Sequence, residues 1–99
     1  MKYIVNVRGT LKGTRQQAQK VHDEIIAKME GLTKSMGGTS HMTFLSVQNE
    51  KEFFSIDGWD NLESIQKLYN DPALGAEFAR LFEGQPTITV WAESGFAGY

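Results

Sequence analysis

The spacing of apolar residues changes along this chain, and it divides the sequence into strands and helices in one order. In residues 2–11, apolar and polar side chains alternate, and this period of two predicts a β-strand. The next apolar residues recur every three or four positions and predict a helix of about 20 residues. Its apolar stripe consists of Ala18, Val21, Ile25, Met29, Leu32 and Met36. Thr14 and Gln17 fit an N-terminal capping box, and Gly37-Gly38 ends the helix.

Three more segments have the pattern of strands. Residues 41–48 and 51–59 predict two strands, and Asn49-Glu50 between them is a plausible hairpin turn. Residues 86–94 predict the last strand, in which apolar and polar residues again alternate.

Two shorter helices lie between the third and fourth strands. Asp60 and Glu63 fit a capping box that starts the first of them. Asp71 followed by Pro72 fits the start of the second, because Pro is favoured in the first helical position. Gly84 is expected to end that helix. Its apolar stripe consists of Leu74, Phe78, Leu81 and Phe82.

The resulting order, β-α-β-β-α-α-β, predicts a ferredoxin-like α+β fold in a single domain, residues 1–99. Such a fold has a four-stranded antiparallel sheet with its helices on one face. Gly9 is expected to mark a bulge in the first strand.

Both faces of the predicted sheet carry large apolar side chains. Strand one presents Val5 and Val7 on one face and Ile4 on the other. Strand three has aromatic residues on both faces, at Phe53 and Phe54. Because helices cover only one face, an isolated sheet of this kind normally has a polar open face.

The sequence therefore predicts a homodimer that packs through the sheet face and forms an α/β barrel from two protomers. The alternative is a monomer with a partly apolar surface. The chain has 11 % aromatic residues, and Tyr3, Phe96 and Tyr99 are expected at the interface. Tyr3→Asp or Val5→Asp is expected to break the dimer.

Composition removes several classes of function. Lys and Arg total 10 against 12 Asp and Glu, without a dense basic stripe, so nucleic acid is not an expected partner. The chain has no Cys, which excludes disulfides and thiolate chemistry, and its two His residues show no metal-ligand spacing. No apolar run is long enough to cross a membrane, and no signal peptide pattern is present, so we expect a cytoplasmic protein without a membrane partner.

The segment from Phe53 to Phe82 resembles the antibiotic biosynthesis monooxygenase superfamily, and the resemblance extends over nearly the whole chain. A strand ending in Asp57-Gly58-Trp59 is followed by an acidic turn, a helix, an Asp-Pro pair and a Phe-rich helix. The resemblance implies a dimeric α/β barrel. Members of the superfamily include cofactor-free oxygenases of polycyclic phenols and quinols, haem-degrading enzymes and isomerases.

The resemblance also implies a pocket between the sheet and the helices. The quinol-oxidising members use Asn, Trp and Arg to orient the substrate and stabilise its anion. Strand parity here places Asn6 and Arg8 in the pocket with Asp57, Trp59, Thr89 and Trp91. His41 is included as well, although the pattern does not decide to which face of the sheet its side chain points. The candidate catalytic residues are Asn6, Arg8 and His41, with His41 suited to accept a phenol proton. The candidate substrate-binding residues are Asp57, Trp59, Tyr69, Phe78, Phe82 and Trp91.

Each candidate also has a structural interpretation. Arg8 fits an ion pair with Asp57 or Glu93, and His41 fits a strand-end residue bound to the backbone. The Trp and Phe residues fit core packing. His22 lies just off the apolar stripe of the first helix and is interpreted mainly as a boundary residue.

Three functions remain open. The first is a cofactor-independent monooxygenase that acts on an aromatic or quinol-like small molecule. The second is an isomerase or ligand-binding member of the same superfamily. The third is a haem-binding protein that uses His22 or His41, although Phe78 stands where the haem-degrading members have their His ligand and Leu68 where they have a Trp. No cofactor and no metal are expected for the first function.

Overall fold

The computed structural model describes residues 2–99 and has the predicted order of elements. The strands are β1 (Tyr3–Leu11), β2 (Gly38–Leu45), β3 (Glu52–Trp59) and β4 (Phe82–Ala92). The helices are α1 (Arg15–Ser35), α2 (Leu62–Tyr69) and α3 (Pro72–Leu81). The strands form one antiparallel sheet in the order β2-β3-β1-β4, with the helices on one face, so the predicted ferredoxin-like fold is confirmed. No helix within the described residues is long and apolar enough to cross a membrane.

The predicted bulge lies at Gly9. The pairing of β1 with β4 shifts register between Arg8 and Thr10. A Cβ atom at Gly9 would lie 2.7 Å from Cδ1 of Phe82, so a larger residue would collide with that ring. The bulge therefore lets β1 pass close to a large aromatic side chain that belongs to the core.

The helix starts are mostly as predicted. Thr14 and Gln17 form the capping box of α1, and Asp71 caps α3 with Pro72 in its first turn. The prediction for α2 was wrong by one residue, because Asn61 is its N-cap and accepts a hydrogen bond from the Ser64 backbone N–H. Asp60 is held outside the helix because its backbone N–H donates to the carbonyl of Gly37.

Two strand boundaries also differ from the sequence prediction. Phe82 has extended backbone angles and begins β4, so α3 ends at Leu81 rather than at Gly84. Strand β2 ends at Leu45 because the Ser46 hydroxyl accepts hydrogen bonds from the backbone N–H groups of Gln48 and Asn49, which turns the chain.

The core lies between the helices and one face of the sheet. Val5 is fully buried there and Val7 is 3 % exposed, while Tyr3 packs against the same core. The expectation that Tyr3 and Val5 belong to a dimer interface was therefore wrong, because their side chains face the helices rather than the open side of the sheet.

The opposite face of the sheet, called here the open face, is not covered by any helix. Cross-strand partners share a face, so Ile4 and Trp91 lie together there, as do Met42 and Ile56. Of these, Met42 is 59 % exposed and Trp91 58 % exposed. All four strands thus contribute large apolar side chains to the open face, as the alternation in β1 and β3 predicts.

Candidate active site

A cavity of about 320 Å³ lies between the helix-facing side of the sheet and the three helices. Phe53, Phe78 and Phe82 form an aromatic part of its wall, with ring centroids 5.5 Å apart for Phe53 and Phe82 and 5.9 Å apart for Phe78 and Phe82. The predicted aromatic wall is present, although Phe82 reaches it from β4 and not from a helix. A wall of this kind suits a flat, poorly charged ligand.

The polar part of the wall is built on two neighbouring strands. His41 of β2 and Asp57 of β3 are direct cross-strand partners, so their side chains project from the same face at short distance. His41 Nδ1 and Asp57 Oδ1 are joined by a hydrogen bond. Tyr69 is the last residue of α2, and its hydroxyl group donates a hydrogen bond to Asp57 Oδ2 at 3.0 Å. The carboxylate of Asp57 therefore joins a strand and a helix across the cavity wall.

A second histidine extends this arrangement. His22 Nε2 of α1 lies 3.0 Å from His41 Nε2, and His22 Nδ1 lies 3.0 Å from Asp23 Oδ1. The resulting chain of contacts is Tyr69, Asp57, His41, His22 and Asp23.

Sequence reasoning interpreted His22 mainly as a boundary residue and only secondarily as part of the helical wall of the pocket, although the spacing of α1 contains a clearer signal for it. His22 follows Ala18 by four residues and precedes Ile25 by three, and both neighbours are buried. It therefore lies on the inner face of the helix beside the apolar stripe, where its ring also packs on Phe53 with centroids 5.9 Å apart.

The environment of Tyr69 keeps its hydroxyl protonated. Burial raises its pKa far above the usual tyrosine range, and the nearby charge of Asp57 and the hydrogen bond to that carboxylate raise it further. The Trp59 indole N–H, close to the hydroxyl, has a smaller opposite effect on the pKa. Tyr69 is therefore a hydrogen-bond donor, and Asp57 is the acceptor.

Trp59 supplies an unpaired donor at the same end of the cavity. Its side chain is 3 % exposed, and Nε1 makes no hydrogen bond with any described residue. The rings of Trp59 and Tyr69 meet edge to face, with centroids 6.2 Å apart. A buried N–H without an acceptor costs free energy.

Three of the predicted site residues lie outside the cavity. Strand β1 pairs Val5, and not Asn6, with Asp57, so Asn6 and Arg8 lie on the open face, and Trp91, the partner of Ile4, lies there too. The strand-parity assignment was wrong because it grouped Asn6 with Asp57 without the register that relates β1 to β3.

The three residues also have local partners on that face. Asn6 Nδ2 donates to the Ser55 carbonyl at 2.9 Å. Arg8 pairs with Glu52 at 2.9 Å, rather than with Asp57 or Glu93. Trp91 Nε1 donates to Thr89 Oγ1 at 2.8 Å, and Thr89, which pairs with Asn6, is on the open face as well.

The histidines do not fit a haem ligand. Both ring nitrogens of His22 and of His41 face a partner, so binding iron through either ring would break an existing contact. Phe78 offers no ligand atom. Within residues 2–99, no three His, Cys, Asp or Glu side chains are arranged to hold a metal ion.

Fold and cavity together define a class: a ferredoxin-like domain with an aromatic cavity between its helices and its sheet. SnoaB, a cofactor-independent oxygenase from Streptomyces nogalater, has the same fold, with a TM-score of 0.71, 11 % identity, and coverage of 96 % of this chain and 95 % of that chain. A candidate antibiotic biosynthesis monooxygenase from Deinococcus radiodurans gives a TM-score of 0.65 at 12 % identity, with coverage of 100 % and 98 %.

A protein of unknown function from Nitrosomonas europaea is 24 % identical, with a TM-score of 0.62 and coverage of 98 % of this chain and 96 % of that chain. No protein-family model and no curated protein sequence matches this chain. The structural likenesses confirm the resemblance to antibiotic biosynthesis monooxygenases at the level of the fold.

Proposed function

We propose that this protein is a cofactor-independent monooxygenase of the antibiotic biosynthesis monooxygenase type, acting on an aromatic, quinol-like small molecule. The observation that carries the proposal is the hydrogen-bonded series of Tyr69, Asp57 and His41 at one end of an aromatic cavity. The structural likeness to a cofactor-independent oxygenase also supports this proposal. The protein is expected to act in the cytoplasm.

The ligand is proposed to lie with its ring against the aromatic wall and an oxygen atom at the polar end. Phe53 and Phe78 offer apolar surface on two sides of the cavity. The Asp57 carboxylate at that end accepts a hydrogen bond from the ligand hydroxyl. The substrate class is thus a polycyclic phenol, quinol or anthrone.

Asp57 is proposed to receive the proton of the ligand. Its carboxylate is 14 % exposed and is held by His41 and Tyr69, and each oxygen keeps a further lone pair. His41 contributes through Asp57, because both of its own ring nitrogens already have partners. From the sequence, His41 was expected to be the base itself. In this proposal Asp57 is the base, and His41 balances its charge.

The substrate itself is proposed to supply the electrons. Loss of a proton to Asp57 leaves an electron-rich anion that can react with dioxygen. In the balanced reaction of an activated methylene, one methylene group and one dioxygen molecule give one carbonyl group and one water molecule. The carbon loses two C–H bonds and gains a C=O bond, and both hydrogens leave in the water with the second oxygen atom. The four electrons that reduce dioxygen all come from the methylene carbon, so no bound reductant is needed.

The open face is proposed to bind a second copy of the chain. Ile4 is 40 % exposed, Phe44 41 % and Met42 59 %, and the ring of Phe44 packs against that of Phe54 with centroids 5.4 Å apart. In aqueous solution, an apolar patch of this extent is normally buried against another protein surface. Light scattering at micromolar concentration should give a dimer for the unmodified protein and a monomer for Phe44→Asp. A monomeric unmodified protein would refute this part of the proposal.

Oxygen uptake with a panel of dihydroxynaphthalenes and anthrones tests the reaction directly. The unmodified protein should consume dioxygen with at least one compound, and Asp57→Asn should lower kcat about 100-fold, within the range that general acid–base groups contribute. Glu50→Gln, an exposed carboxylate in the β2–β3 loop, is the matched control and should keep full activity. No uptake with any compound, or full activity in Asp57→Asn, would contradict the proposal.

An isomerase is the second candidate, because the same acid–base series can move a proton within a ligand without dioxygen. The two candidates separate under anaerobic conditions. An isomerase converts its substrate at an unchanged rate when dioxygen is removed, whereas the monooxygenase stops. Ligand binding without turnover in either condition would indicate a binding protein.

A further inference from the structure

The proposed function leaves His22 without a role, although its ring meets that of His41. The two Nε2 atoms are 3.0 Å apart and the ring planes differ by only 17°. The centroids are 5.2 Å apart, so the rings meet nitrogen to nitrogen and edge to edge. Two lone pairs or two N–H groups would repel at this distance, so one proton must lie between the two nitrogens.

The protons on the pair can be counted from its outer contacts. His22 Nδ1 faces Asp23 Oδ1 at 3.0 Å, and His41 Nδ1 faces Asp57 Oδ1. An ionised carboxylate only accepts hydrogen bonds, so each Nδ1 carries a proton. With the proton between the Nε2 atoms, the rings hold one proton more than two neutral imidazoles do. The pair therefore carries one positive charge between two carboxylates.

We propose that His22 and His41 share this proton and that His22 is a positioning residue for the candidate active site. By donating to His41 Nε2, His22 holds His41 in the form whose Nδ1–H points at Asp57. The Asp57 carboxylate is then fixed in orientation by His41 and Tyr69. The consequence for turnover rests on the proposed function, whereas the shared proton rests on the geometry alone.

Apart from Asp23 and Asp57, the charges near the pair sum to one positive charge, that of Arg15. Glu30 and Lys34 of α1 form an ion pair with each other at 3.2 Å. Tyr69 is neutral because burial raises its pKa. The charged and titratable residues that line the two cavities beside the pair are Arg15, Asp23, Glu30, Lys34, Asp57 and Tyr69. Asp23 and Asp57, which contact the rings directly, are thus the charges that favour the extra proton.

His22 also connects two spaces. It lines the main cavity and a second, more polar cleft of about 380 Å³ between α1 and the β2–β3 hairpin, where Arg15 and Asp23 lie. The proton that the two rings share can therefore exchange with solvent from the side of this cleft while a ligand fills the main cavity. The side chain of His22 is 18 % exposed, so this side of the pair is partly open to solvent.

NMR of protein labelled with ¹⁵N-histidine tests the shared proton. Between about pH 5 and pH 8, the range in which histidines titrate, the two rings should lose protons in two linked steps, with His41 Nδ1 protonated throughout. In His22→Phe, His41 should titrate in one step, while Asp57 still holds the proton on His41 Nδ1. In His22→Gln, the amide N–H can still donate to His41 Nε2, so this hydrogen bond should return without the linked titration.

Lys20→Gln, an exposed change on the same helix, is the control and should behave as the unmodified protein does. Independent titration of the two rings in the unmodified protein would overturn the proposal, as would a His41 titration in His22→Phe that is identical to that of the unmodified protein. Where turnover is found, His22→Phe should lower kcat about tenfold, a fraction of the roughly 10²–10⁴-fold that acid–base groups supply, with recovery in His22→Gln. If no panel compound is turned over, the NMR result still decides the shared proton, so failure of the two proposals can be told apart.

Discussion

The two faces of the sheet differ in how they treat polar and apolar groups. On the helix-facing side, Asp57 and His41 are bonded to each other and to groups from the helices, inside a mainly apolar wall. On the open face, Arg8 is 65 % exposed and pairs with Glu52, while Phe44 and Trp91 remain in contact with solvent. Neighbouring residues of the same strands therefore meet opposite environments.

The difference shows where each kind of side chain is costly. A polar group in an apolar wall destabilises the protein unless its hydrogen bonds are complete, so the series around Asp57 must be nearly closed. The Trp59 N–H is the buried side-chain group that lacks a partner in the described residues, and it lies beside this series. An exposed apolar side chain, in contrast, is removed from water when another protein surface packs on it. The helix-facing side is thus suited to chemistry and the open face to association.

Adjacent residues of β1 give the largest test of this contrast. Val5→Asp places an unpaired charge at a fully buried position, so it should lower the free energy of unfolding by about 3–5 kcal/mol or prevent folding. Ile4→Asp places the same charge at a position that is 40 % exposed, so it should leave a folded protein that is monomeric. Chemical unfolding followed by circular dichroism, with light scattering for mass, distinguishes the two. Equal loss of stability in both variants would show that the faces do not differ.

The neighbouring aromatic residues of β3 give the next test. Phe53 is 6 % exposed and packs on Phe82, so Phe53→Ala should cost about 3 kcal/mol, the lower end of such substitutions because the residue already lines a cavity. Phe54→Ala on the open face should cost less than half as much in the monomeric Phe44→Asp background. Urea unfolding of both variants measures this, and a larger cost at Phe54 would be inconsistent with the assigned core.

Tyr69→Phe removes one hydrogen bond to a charged group and should lower the free energy of unfolding by about 1.5–3 kcal/mol at neutral pH. Burial raises the pKa of Tyr69 in the folded protein, so its contribution is full below the unfolded value of 10.0 and is lost as the pH rises above it. The difference in Tm between the unmodified protein and Tyr69→Phe should therefore shrink from about pH 8 to about pH 11. A difference that grows with pH would contradict the assignment of Tyr69 as a donor.

The fold could be predicted from the sequence because its signals are local. The period of two in β1, the Thr14–Gln17 box and the Asp71-Pro72 pair each depend on a few neighbouring residues. The errors came where two local signals competed. Asp60 and Asn61 are both good caps, and the choice was made by a distant contact between Asp60 and Gly37.

The site was harder to predict because it depends on register between distant segments. Asp57, Trp59, Tyr69, Phe78 and Phe82 line the cavity as proposed, and so does His41. Asn6 and Arg8 were grouped with them because residue alternation within β1 does not say which face meets the helices. A pairing of β1 and β3 shifted by one residue would have reversed the assignment, since adjacent strand residues point to opposite faces.

Arg8→Gln, on the open face, gives the smallest expected effect. Its ion pair with Glu52 is largely exposed and screened, so the loss should cost at most about 1 kcal/mol. Because Arg8 lies on the open face and a surface ion pair contributes little beyond its own contact, Arg8→Gln should change the affinity for a cavity ligand by no more than about twofold. Asp57→Asn, within the cavity, should weaken the affinity more. Fluorescence titration, with Trp59 in the cavity as the reporter, compares the two. A large loss of affinity in Arg8→Gln would mean that the open face reaches the bound ligand, and the separation of the two faces into chemistry and association would have to be abandoned.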